Sequence, residues 1–201
     1  MISIFLGKEL ERLNEVTLKA RMAREVLPYC DFLSLLLKQY GLAESAVLAA
    51  RPLESGMDYT EVSEMAFQLS LQLSALEAHG FTLLFWDTRD ISVLEVKHLS
   101  EKLYILTNLE QQVPLDKKDR NQLVLVYPKV YPLPAELCAP ELLKMDVLPF
   151  RTHRSASYYS LALVCLKMVH MPLEKLKGTK LFYFLERCLK SEPSERVCYY
   201  L

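Results

Sequence analysis

The segment Tyr158–Val169, YYSLALVCLKMV, constrains this chain more than any other. Wound as a helix, it carries apolar side chains on nearly every face, with Ser160 and Lys167 as the interruptions. Extended to Met171 it also contains His170, and it stays short of the roughly 20 apolar residues that cross a bilayer. A helix that is apolar all round must be enclosed by protein. The rest of the chain therefore has to supply elements that surround it.

The chain is large enough to do so. Its 201 residues suit one domain or a small lobe with a larger one. Hydrophobic residues at 51% and charged residues at 24% belong to a folded globular protein. With 24 Lys+Arg against 25 Asp+Glu the net charge is −1. That leaves no global basic field for a phosphate backbone and argues against a nucleic-acid partner. The start, MISIFLGKELER, lacks a basic n-region and a small-residue cleavage site, so secretion is not expected. Five cysteines, an odd number without a C-x-x-C pair, read as reduced thiols of an intracellular protein, cytoplasmic or nuclear. The histidines, His79, His98, His153 and His170, are scattered and set no metal-site spacing.

Periodicity predicts an α+β chain in which helices predominate. Glu9–Tyr40 reads helical, broken near Pro28, and Ser45–Pro52 reads as a short strand. In Tyr59–His79, residues Val62, Met65, Ala66, Leu69, Leu73 and Leu76 make one apolar stripe, closed by Gly80. Phe81–Trp86, Lys102–Leu109 and Asn121–Val126 read as strands, and Leu181–Lys190 as a helix that Pro193 bars from continuing. Loops are expected at Arg51–Asp58, Pro114–Asn121, Pro128–Pro134 and Met145–Ser157. In the last of these, Arg151, His153 and Arg154 read as a solvated loop, with capture of an anionic partner group as the alternative.

Ala139-Pro140-Glu141 reads Ala-Pro-Glu, the motif that ends the activation segment of a eukaryotic protein kinase, and the marks around it, taken in order, resemble that family's C-terminal lobe. Ser157–Ala162 resembles the D-x-W-S-x-G that opens that family's buried central helix. Leu181–Arg196, LFYFLERCLKSEPSER, resembles its closing helix and P-x-x-R. Upstream, Tyr59–His79 resembles the long helix before the catalytic loop. In that register Phe85-Trp86-Asp87 replaces His-Arg-Asp, and Ser92 falls where a metal-binding asparagine belongs. Asn108-Leu109-Glu110 stands in for Asp-Phe-Gly. The resemblance covers Tyr59–Leu201 and implies a division into a reduced N-lobe, 1–55, and a kinase C-lobe-like domain, 56–201. The compact form is similar in style to kinase-like proteins of large DNA viruses.

Phosphoryl transfer needs cradled phosphates, held Mg²⁺ and an oriented acceptor hydroxyl. The resemblance implies Asp87 for the last role and Ser92 and Asn108 at the Mg-nucleotide positions. No G-x-G-x-x-G occurs, Lys8 follows Gly7 without a convincing strand, and Glu25 lacks an identifiable lysine partner. Asn108 replaces an anionic ligand by a neutral carbonyl, and Ser92 has a shorter reach than asparagine. ATP and Mg²⁺ are therefore weakly implied. The structural pair fares better: the resemblance sets Glu141 against Arg196, and Ser157 as N-cap of the central helix. Trp86 reads as core packing. The expectation is a pseudokinase that serves as a protein-binding or scaffolding module, with Leu33–Leu37 as one apolar patch for partners. The alternatives are an unorthodox active kinase using Asp87, with Asn108 and Ser92 or Glu110 around one metal ion, and a helical structural protein unrelated to kinases.

Overall fold

A computed structural model describes residues 47–96, 102–106, 111–126, 133–169 and 171–196. The helical reading of Glu9–Tyr40, with Lys8, Glu25 and the Leu33–Leu37 patch, lies outside the described residues, as does Asn108. In chain order the strands and helices are β1 (Val47–Pro52), α1 (Tyr59–Ala78), β2 (Phe81–Leu83), β3 (Ile91–Val96), β4 (Leu103–Leu106), β5 (Gln112–Pro114), β6 (Gln122–Leu125), β7 (Phe150–His153), α2 (Ala156–Val169) and α3 (Lys180–Cys188). The architecture is α+β.

The chain divides into two compact units, one drawn from residues 1–53 and 89–108, the other from 54–88 and 109–201. This differs from a contiguous division at 55 by the segment 89–108. The cause is strand pairing. β1 pairs antiparallel with β3, Ala50 opposite Leu94, and β3 with β4, Val93 opposite Tyr104, so the first unit is a sheet of order β1-β3-β4. The kinase register sets Ser92 at the metal-binding position of a catalytic loop; the structure places it in strand β3. Pro52 ends β1, an edge strand among the described residues, a position at which proline is tolerated.

The second unit is built around α2. Leu161, Ala162, Val164 and Cys165 are fully buried, and α2 packs against both α1 and α3. The main-chain N–H groups of Gly56 and Met57 both donate to the Met168 carbonyl at 3.2 Å, satisfying an orphan acceptor at the end of α2. α1 begins with a capping box. Asp58 Oδ1 accepts from Thr60 N at 2.8 Å and Glu61 N at 2.9 Å, while the Glu61 carboxylate reaches back to Asp58 N. All six residues of its expected stripe are buried. Gly80 follows with φ 86°, a left-handed value that suits glycine. In α3, Thr179 Oγ1 caps Phe182 N at 3.1 Å, and Leu181, Phe184, Leu185 and Cys188 form the buried face.

Two small antiparallel pairs complete this unit. β2 pairs with β5, Thr82 opposite Val113. The expected strand Phe81–Trp86 stops at Leu83 because its partner is three residues long, and Trp86 N turns away to Ser160 Oγ at 2.8 Å. β6 pairs with β7, Leu123 opposite Thr152, inside the stretch read as the loop Met145–Ser157. FRTH carries too little hydrophobic alternation to signal a strand; β6 supplies the pairing that makes it one.

Replacing Leu161 by alanine removes a fully buried side chain at the centre of this unit. Urea denaturation is expected to show a loss of about 2–5 kcal/mol. Thr179→Ala, which removes only a cap, is expected to cost about 1 kcal/mol.

Candidate functional site

Ser157 and Ser160, one helical turn apart on the buried face of α2, hold the chain that follows β2. The Ser157 hydroxyl donates to the Leu83 carbonyl and lies 2.8 Å from Thr82 Oγ1. Ser160 Oγ accepts from Trp86 N. Both serines are fully buried, so these bonds satisfy groups that water does not reach. The expected N-cap role of Ser157 is corrected here. α2 begins at Ala156, which places Ser157 inside the first turn, free to reach across to β2 instead. Trp86 is fully buried, as core packing requires.

The structure brings Glu141 and Arg196 together. Arg196 Nη1 donates to Glu141 Oε1 at 2.5 Å and Nη2 donates to Oε2 at 2.9 Å, a bidentate fork across 55 positions of sequence. The same guanidinium donates to the carbonyls of Lys190 at 2.8 Å and Ser191 at 3.2 Å. Its carbon stands 4.6 Å from the centre of the Tyr159 ring. The Arg196 side chain is 0% exposed and that of Glu141 16%.

Of the positions aligned with catalysis, Asp87 and Ser92 fall in different units, and Asn108 lies outside the described residues. Asp87 is half-buried in the second unit, before a 3-10 turn at Thr88–Asp90. Ser92 belongs to the first unit, where it pairs with Pro52 and Ile105 in β3 and is 3% exposed. Among the described residues no group of three or more His, Cys, Asp or Glu side chains could hold a metal ion. No helix among them is long and apolar enough to cross a membrane. Burial raises the Cys138 thiol to about 12, with Glu136 adding to it, and pushes the Cys165 thiol up as well. Neither is a thiolate nucleophile at neutral pH.

A charged cluster near the C-terminal end of α1 was not legible in the sequence. Arg154 pairs with the buried Glu77, which also accepts from the Tyr158 hydroxyl at 3.4 Å. Arg151 pairs with Asp116. The reading of Arg151, His153 and Arg154 as a solvated loop is thus corrected in part: Arg151 and His153 belong to strand β7 and Arg154 holds the buried Glu77, while Arg151 stays exposed in a surface pair with Asp116. Burial pushes Glu77 up from 4.5 to about 7, against the opposing pull of Arg154 and Tyr158. Asp116 is held low by the Lys118 N–H, with Arg151 assisting. Burial, with Arg154 and Arg196 adding, holds His153 below its ordinary value. Glu77 follows the last residue of the α1 stripe, and nothing local in the sequence marks it as buried. Its partners lie 77 and 81 residues away.

No family model matches the chain. No curated protein matches it significantly either.

Glu141→Ala leaves a fully enclosed guanidinium without its anion, and a destabilisation of about 3–5 kcal/mol is expected in urea. Arg196→Lys keeps the charge but loses the fork and the ring contact, and is expected to lose much of the same stability. Glu77 makes a separate prediction. Its folded pKa lies above its unfolded value, so the folded state binds the extra proton. Its contribution is full below pH 4.5 and lost as pH rises through about 7. The shift corresponds to a fall on the order of 3 kcal/mol over that window. Urea midpoints measured across it are expected to drop with rising pH in the wild type and to flatten in Glu77→Gln.

Proposed function

We propose that this chain is a degenerate protein kinase-like module whose C-lobe frame is kept as a binding or scaffolding surface, without phosphoryl transfer. The observation that carries the reading is the enclosed Glu141–Arg196 fork. The two residues occupy the pair of positions that the kinase resemblance marks as structural, and they meet bidentately. Further support comes from α2. A helix buried on nearly all sides, it presents Ser157 and Ser160 to the backbone of Leu83 and Trp86, at the segment aligned with the start of a catalytic loop.

The chemistry side of the comparison is thin. Only Asp87 keeps the residue type that phosphoryl transfer uses at its position. Ser92 is enclosed within a strand, where its hydroxyl is poorly placed to ligate a hydrated Mg²⁺. Natural selection for catalysis would preserve the metal ligands at least as strictly as the Glu141–Arg196 fork. A chain that keeps the fork and loses the ligands is one whose value lies in its shape and surface.

Thermal shift and calorimetric titration with ATP, with and without Mg²⁺ or Mn²⁺, test this. A ligand present at 100 times its dissociation constant stabilises the native state by about 2.7 kcal/mol, so even weak binding is measurable. No metal-dependent shift at millimolar nucleotide is the expected outcome. Metal-dependent binding, followed by a transfer activity that Asp87→Asn abolishes, would overturn the non-catalytic reading in favour of an active kinase.

A further inference from the structure

Near the C-terminal end of α1 a cavity of about 300 Å³ opens among Ser74, Glu77, Leu115, Arg120, Asn121 and Arg154. That volume is at the lower end of the range of small-molecule sites, roughly 300–1,000 Å³. Two guanidinium groups reach it from different stretches of chain. Arg120 comes from the β5–β6 connection and donates through Nη1 to the Ala78 carbonyl at 3.3 Å. Arg154 comes from the turn between β7 and α2 and bonds Glu77 Oε2. The two stretches are tied together by Arg154 N–H donating to the Asn121 carbonyl at 2.8 Å. A backbone bond therefore helps to set the spacing of the two arginines. Each guanidinium carries five N–H donors, and the bonds named account for one on each.

A single carboxylate opposes them. The Glu77 side chain is 6% exposed. Its Oε2 serves Arg154 and Tyr158, while Oε1 has no hydrogen-bond partner among the described residues. Two arginines and one glutamate give the lining a charge of +1 with Glu77 ionised and +2 with it protonated. The partial negative charge of the helix end is answered in part by Arg120 at the Ala78 carbonyl.

We infer that this cavity is an oxyanion site that takes a phosphate or sulfate group between Arg120 and Arg154, with Glu77 competing for Arg154. Planar guanidinium forks match tetrahedral oxyanions in geometry as well as in charge. The Asn121 amide and Ser74 hydroxyl offer neutral donors to the remaining oxygens. Protonation of Glu77 frees Arg154 for the incoming anion, so the site is strengthened as pH falls through about 7. The other titratable groups near Glu77 are Tyr158, which bonds it, His79 two residues on, whose Nδ1 lies 2.8 Å from the Ala75 carbonyl, and His153, whose Nδ1 lies 2.8 Å from the Ser155 hydroxyl. The Glu77→Gln variant separates any change at these groups from that at Glu77. The site is defined by its own side chains and holds whether or not the chain is kinase-like.

Sulfate is the probe of choice, because its charge is constant through neutral pH. Sodium sulfate is titrated against sodium chloride of equal ionic strength, one unit below and one unit above the Glu77 pKa of about 7, with thermal midpoints and calorimetry as readouts. Saturable, sulfate-specific binding is expected, tighter at the lower pH. The gain is limited to about tenfold, since the protonated fraction moves from about a tenth to about nine-tenths. Arg120→Gln is expected to weaken binding about tenfold or more. Arg120 is exposed on a connection, so this substitution leaves the fold in place. Glu77→Gln is expected to bind at both pH values with the low-pH affinity of the wild type. Phenyl phosphate binding more tightly than inorganic phosphate assigns the site to an esterified group, and equal binding assigns it to the free anion. Absence of saturable binding, or binding that Arg120→Gln leaves unchanged, overturns the site. A pH dependence that survives Glu77→Gln overturns the role of Glu77.

Discussion

Arg196 is a permanent charge with no exposed side-chain surface. A guanidinium cannot escape burial by losing its proton, so everything around it must answer the charge. Glu141 supplies the counter-charge, the carbonyls of Lys190 and Ser191 accept further N–H groups, and the Tyr159 ring faces the guanidinium carbon. Those partners come from the turn before Leu142, from the central helix and from the chain leaving α3. One side chain thus fastens three parts of the second unit.

The central helix works differently. α2 holds its neighbours mainly by apolar area, a non-directional force, and its hydroxyls add direction. Ser157 and Ser160 engage the backbone at Leu83 and Trp86, so the chain leaving β2 is set by side chains of α2 rather than by a long strand ladder. Hydrogen bonds to buried backbone groups contribute modestly when made and cost more when left unmade. That asymmetry makes two serines on an otherwise apolar helix specific fasteners. The same unit therefore combines a large non-specific core with a few polar contacts that select one arrangement of it.

Glu77 sits at the opposite extreme from Arg196. It is a carboxylate that burial drives toward its neutral form, with Arg154 and the Tyr158 hydroxyl pulling the other way. Unlike arginine, it has the option of a proton. The result is a charged cluster that changes state near neutral pH beside a cavity lined by two guanidinium groups. The Glu141–Arg196 fork gives permanence, whereas the Glu77–Arg154 pair gives a condition-dependent contact.

The sequence by itself determined the elements whose signal is local. The apolar stripe of α1, the all-round apolar α2, the amphipathic α3 and the apolar run of β6 are each written within one short window. It also marked Glu141 and Arg196 as a pair, through a resemblance carried by the residues around them. Only the tertiary structure decided that 89–108 joins the N-terminal portion, that FRTH pairs as β7, and that Ser157 reaches across to β2 instead of capping its own helix. It alone brought Glu77 to Arg154 and set Arg120 beside them. The physical reason is common to all of these. Short strands and buried charges take their character from partners far along the chain, and no window of sequence contains both sides of such a contact.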